Sequence, residues 1–77
     1  MNAYRVRFVQ TAKKTRAHEH AGAEFLHVLS GRLALVVAGE EHTLAEGDSI
    51  YFDSSQPHVY RRLSARPAEA IVVTVPV

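Results

Sequence analysis

The sequence contains no cysteine. That excludes disulfides, a thiolate metal site and a cysteine nucleophile. Long apolar runs are also missing: the longest, Leu33 to Ala38, has six residues, against the ~20 a membrane-spanning helix needs. Met1 is not followed by a basic start and an apolar stretch, so no secretory leader is expected. A cytoplasmic home is the default expectation. Internal repeats, low-complexity tracts and linkers are absent, and no window carries a helical apolar stripe longer than two turns. What remains is a chain of 77 residues and 8.5 kDa, read as one domain over residues 1–77. A domain this small hides only ~60% of its unfolded surface. Its core must be thin, and burial against a partner chain would help.

Hydrophobic residues make up 47% and charged residues 22%, which places the chain among globular proteins rather than disordered ones. The net charge is +1, but it is unevenly spread. Residues 1–16 carry Arg5, Arg7, Lys13, Lys14 and Arg16 with no acid, whereas residues 17–60 carry seven acids against Arg32 alone. A basic N-terminus raises nucleic acid as a partner. Arg5 and Arg7, however, alternate with Tyr4, Val6 and Phe8, as on the solvated face of a strand. With no groove-reading helix beside them, direct nucleic-acid binding is not expected.

The pattern is strand after strand. Tyr4, Val6 and Phe8 predict an edge-like first strand. Glu24 to Leu29 predicts a second, ended by Ser30-Gly31. Arg32 to Val37 and Glu41 to Leu44 flank Ala38-Gly39 and predict a hairpin. Glu46-Gly47-Asp48 turns the chain into Ser49 to Phe52. The Ser54-Ser55-Gln56-Pro57 loop leads to His58 to Leu63, and Ala70 to Val75 closes the chain. Turns every 8–12 residues predict an all-β sandwich or barrel. Two strands are apolar on both faces. Leu26 and Val28 point one way and Phe25, His27 and Leu29 the other, while Ile71, Val72, Val73 and Val75 leave no polar face. Strands covered on both sides need two layers of neighbours. A homodimer is the natural source of the second layer.

Five histidines are the unusual count. His18 and His20, two apart on an extended segment, project to one face. A turn at Ala21-Gly22 would bring Glu24 back beside them. His58 lies far along the chain at a strand entrance. Three imidazoles and one carboxylate suit Fe(II), Mn(II), Ni(II), Zn(II) or Cu(II).

The spacing His18-x-His20-xxx-Glu24-xxxxxx-Gly31 resembles the first signature of the cupin family, and Gly47-Asp48 followed by Pro57-His58 resembles the second. The stretch from Arg16 to Arg62 is similar to a cupin throughout. Gly47 to Arg61 and Phe25 to Gly31 look like the cupin domain of certain bacterial helix-turn-helix regulators, in which the barrel is thought to sense a small molecule. This chain has no room for the helix-turn-helix itself. The resemblance implies a small antiparallel β-barrel or jelly roll, with His18, His20, Glu24 and His58 as ligands to one divalent transition metal. Gly31 and Gly47 then serve hairpin turns that need positive φ.

The other candidates sort by parity. Phe52 and Tyr60 are placed to line the cavity beside the metal, Tyr60 sharing the face of His58. His27 has the opposite parity to Glu24 and reads as a packing or interface residue. His42 reads as surface, Asp48 as a brace for its turn, and Arg61-Arg62 as a solvated pair. Three functions fit these residues, one of them a metal-free structural role. Another is a metal-binding barrel acting as a small-molecule binding or sensory module. The alternative is a metal-dependent enzyme, an Fe(II)-type dioxygenase or an isomerase, using the same three histidines and glutamate. An enzyme needs a positioned acid or base besides the metal, and the inward candidates, Tyr60 and Arg62, are sparse. A small molecule is the expected partner in both metal-binding readings.

Overall fold

The computed structural model describes residues 1–9 and 21–76. Seven antiparallel strands follow in chain order: β1 (Asn2–Phe8), β2 (Ala23–Ser30), β3 (Arg32–Val37), β4 (Glu40–Ala45), β5 (Ser49–Asp53), β6 (His58–Arg62) and β7 (Ala68–Val75). They form a four-stranded sheet in the order β1-β7-β2-β5 and a three-stranded sheet in the order β4-β3-β6. This is the all-β barrel that the alternation and turn spacing predict. β3 has its expected bounds, and each of the other strands differs from its own by a residue or two. Among the described residues no helix is long and apolar enough to cross a membrane.

The core lies between the sheets. Leu26 and Val28 of β2 face Leu33 and Leu35 of β3, with Leu44, Phe52 and Val72 filling the remaining space. Ala68 and Ala70 are also fully buried. Across the β1–β7 ladder they oppose Phe8 and Val6. Small residues on one strand thus make room for large ones on its neighbour. Phe8 leans across the gap between the sheets to meet the Tyr60 ring, centroids 5.0 Å apart. The first strand is an edge strand, as its sequence predicts.

Two turns show why their residues are there. Gly31, between β2 and β3, has φ 83°, and a Cβ there would stand 2.8 Å from the Ala68 Cα. Only glycine meets both conditions. The β3–β4 hairpin is a two-residue turn, Val37 pairing with Glu40. Its central residues, Ala38 and Gly39, have φ 50° and 83°. Positive φ at both positions is the twist-matched type I′ geometry, which favours asparagine and glycine. An alanine with left-handed φ costs about 1 kcal/mol. Ala38→Asn is therefore expected to stabilise the fold by up to ~1 kcal/mol. Urea unfolding reads the change, and a loss of stability would contradict the turn assignment.

Candidate metal centre

Glu24 is the second residue of β2. It pairs with Phe52 of β5 on one side and Thr74 of β7 on the other, and so points to the interior with Leu26 and Val28. Only 4% of its surface is exposed. His58 opens β6 on the facing sheet and is 2% exposed. Burying a carboxylate and an imidazole this deeply is costly unless both are engaged.

The two side chains converge. Nε2 of His58 stands 3.7 Å from Oε1 of Glu24. The other ring nitrogen, Nδ1, is 2.9 Å from the Gln56 carbonyl oxygen. A carbonyl only accepts, so Nδ1 carries the hydrogen and, in the neutral ring, Nε2 holds a lone pair directed at the carboxylate. The imidazole nitrogen and the carboxylate oxygen thus face each other in a buried space. Their separation is too long for a hydrogen bond. It matches the roughly 3–4 Å between two atoms that each lie ~2.0–2.2 Å from one ion. The donor set fits a divalent metal on this structure's own geometry. A backbone bond fixing the tautomer of a ligating histidine is a usual outer support of such sites.

Tyr60 and Phe52 complete the walls. The Tyr60 hydroxyl donates a hydrogen bond to Oε2 of Glu24, tying β6 to β2 across the barrel. Burial first, and then the bond to Glu24, push the Tyr60 phenol well above its ordinary range. Its ring meets His58 edge-on, centroids 6.3 Å apart. Phe52 packs against the His58 ring from the other side at 5.0 Å.

Among the described residues, no group of three metal-ligating side chains comes together. Glu24 and His58 do, and the two remaining expected ligands, His18 and His20, lie outside the described residues. His27 faces away from Glu24, as its parity predicts, and its Nδ1 shares a 2.6 Å hydrogen bond with the Ser49 hydroxyl on the outer face. Asp48 braces its turn, its carboxylate accepting from the Ala45 amide at 2.8 Å. Two surface readings hold only in part, the side chains being partly covered. His42 pairs with Leu35 in the ladder and so shares the inner face at the sheet edge, half-buried and 3.4 Å from Glu40. Arg61 and Arg62 are half-buried rather than freely solvated. Arg61 lies 3.4 Å from Glu41, and Arg62 donates to the Ala65 carbonyl at 2.5 Å. The residue that sequence reading passed over is Ser54. It sits in a polar loop yet is fully buried, and its hydroxyl has no hydrogen-bond partner among the described residues.

Ser54 is open to a direct check. An unpartnered buried hydroxyl costs stability rather than adding it. Ser54→Ala is expected to leave stability unchanged or raise it by up to ~1 kcal/mol. A loss larger than that on urea titration would show that the hydroxyl has a partner.

The family model for the Cupin_2 domain matches residues 4–74. The chain belongs to the cupin family. No functionally curated protein matches this cupin. Its barrel superposes on the epoxidase HppE, solved with Fe(II) and substrate, at a TM-score of 0.85 and 25% identity, and on hydroxypropylphosphonic acid epoxidase from S. wedmorenis in complex with fosfomycin at 0.82 and 24%. The first match covers 95% of this cupin but 44% of the epoxidase, so the chain spans less than half the length of that protein. The Cupin_2 domain of an XRE-family transcriptional regulator from Enterobacter cloacae matches with a TM-score of 0.82 and 24% identity, over 97% of this chain and 81% of that one. A cupin-superfamily sugar phosphate isomerase from Silicibacter pomeroyi reaches 29% identity and a TM-score of 0.78, over 97% and 50%. Structures of the epoxidase exist with Fe(II) and with Co(II).

Proposed function

We propose that this cupin binds one divalent transition metal through His18, His20, Glu24 and His58 and uses it to hold a small molecule, as a binding or sensory module. The observation that carries the reading is the buried convergence of two metal-ligating side chains, Glu24 Oε1 and His58 Nε2, 3.7 Å apart with the histidine Nδ1 held by the Gln56 carbonyl. Bound metal supplies positive charge and open coordination positions to an anionic or oxygen-bearing ligand. Phe52 and Tyr60 line the space beside it. Tyr60 offers a hydroxyl oxygen to the ligand while its proton is held by Glu24.

The second reading is a metal-dependent enzyme, a dioxygenase or an isomerase. The likeness to an Fe(II) epoxidase and to a sugar phosphate isomerase favours it. Against it stands the sparse interior. Among the described residues around Glu24 and His58, Tyr60 is the one acid or base, and burial keeps it protonated. Metal analysis of untagged protein, followed by native mass spectrometry of what it retains, tests the proposal. One divalent ion per chain with a small molecule held unchanged supports the module. Turnover of that molecule supports the enzyme, and protein free of any metal contradicts both.

The reading includes a cytoplasmic homodimer without nucleic-acid contacts of its own. The outer face of the four-stranded sheet supports the dimer. Phe25, Tyr51, Ile71, Val73 and Val75 share that face by register, with Tyr51 67% and Phe25 36% exposed. An open groove of about 630 Å³, lined by Ala23, Tyr51, Val75 and Pro76 among others, runs along its rim. On the same face the Arg5 guanidinium is bonded to Glu69 at 2.6 Å, so this part of the basic N-terminus already has an acid partner.

A further inference from the structure

We infer that Tyr60 is a positioning residue for the metal: by occupying Oε2 of Glu24, it holds that carboxylate to one-oxygen ligation through Oε1. This inference rests on the metal reading above and deepens it. The geometry is specific. A free carboxylate can grip a cation with both oxygens or with one. In this barrel the two oxygens are differentiated. Oε2 accepts the hydrogen bond of the Tyr60 hydroxyl, whereas Oε1 is the atom that faces His58 Nε2 at 3.7 Å. Tyr60 is itself anchored. The Phe8 ring holds one side at 5.0 Å, and the His58 ring meets it edge-on. Strand β6 thus does two things with residues two apart on one face. His58 supplies a donor atom, and Tyr60 orients the donor that arrives from the opposite sheet.

The consequence concerns coordination number. Three imidazoles and one carboxylate oxygen leave two positions on a six-coordinate ion. A two-oxygen grip by Glu24 would leave one. By limiting Glu24 to a single oxygen, Tyr60 keeps a second position for an incoming small molecule. Outer partners of metal ligands typically matter by 10–100-fold in metal affinity when removed.

The test uses Co(II), whose visible absorption weakens as coordination number rises. Wild type, Tyr60→Phe, Glu24→Gln and the double variant are titrated with Co(II) in competition with a chromophoric chelator. Phenylalanine keeps the ring contacts and removes only the hydroxyl. Tyr60→Phe is expected to bind Co(II) about 10–100-fold more weakly because Glu24 is no longer held in its ligating orientation, with a changed visible spectrum at saturation as the second Glu24 oxygen competes for an open position. On the Glu24→Gln background the same change is expected to have less than about a twofold effect, because Tyr60 acts through Glu24. Wild-type-like affinity and spectrum in Tyr60→Phe would overturn this role while leaving the metal site standing. Failure of the wild type to bind Co(II) would overturn the metal reading and the inference together. If Tyr60→Phe does not fold, infrared difference spectra of wild type with and without metal decide. Widely separated carboxylate stretches support one-oxygen binding, and closely spaced ones overturn it.

Discussion

His58→Ala is expected to abolish the rise in melting temperature that a divalent metal gives the wild type. Metal that binds only the folded chain stabilises it by mass action, by about 4 kcal/mol when free metal exceeds its dissociation constant 1,000-fold. In a domain of this size that corresponds to roughly 15–30 °C. His58 is buried, its tautomer is held by the Gln56 carbonyl, and its Nε2 faces Glu24. Removing it takes away a donor and leaves a void beside Phe52. The apoprotein is expected to lose stability too, so the informative quantity is the difference between melts with and without metal. His20→Ala is expected to remove most of the same increment. His42→Ala is the control, since it sits on β4, the opposite edge of the three-stranded sheet from His58, beside Glu40. Equal loss in His42→Ala and His58→Ala would show the ligand assignment to be wrong. Ligating histidines must be neutral, so the increment is expected to shrink as the solution becomes acidic.

Phe25→Lys is expected to turn a dimer into a monomer. Phe25 lies at the centre of the apolar outer face, between Tyr51 on β5 and Val73 on β7. It is partly exposed, so a lysine there costs the isolated barrel little. In a two-fold interface it places a charge in a desolvated centre, which costs several kcal/mol against association. Sedimentation of the wild type at micromolar concentration is expected to give twice 8.5 kDa, and the variant 8.5 kDa. A wild type that sediments only as a monomer would contradict the reading of this face. The interface is expected to exceed roughly 1,000 Å² in total.

Much of this fold is legible in the sequence because its strands are short and bounded by residues of strong local preference. Gly31, Gly39 and Gly47 all adopt positive φ, and each marks a turn between strands. Parity does the rest. It places Leu26 and Val28 in the core and Phe25 and His27 outside, as found. Motif spacing singled out Glu24 and His58, 34 positions apart in sequence, and the structure brings their side chains to 3.7 Å. What was not legible depends on how one sheet lies over the other. No local pattern says that the Tyr60 hydroxyl reaches Glu24 rather than the cavity. Ser54 was hidden for a related reason. A serine in a polar loop is ordinarily solvated, and only the packed ends of β2 and β5 bury this one. His42 read as surface because its neighbours are polar, yet the ladder turns it to the same side as Leu35.

The central claim is that the barrel interior holds a metal between Glu24 and His58. Anomalous diffraction at the absorption edge of the metal, from crystals of Co(II)- or Fe(II)-loaded protein, tests it most directly. The account predicts a single strong peak per chain, about 2.0–2.2 Å from Oε1 of Glu24, from Nε2 of His58 and from one ring nitrogen each of His18 and His20. A loaded crystal with no peak in the barrel, or with its peak on other side chains, would contradict it.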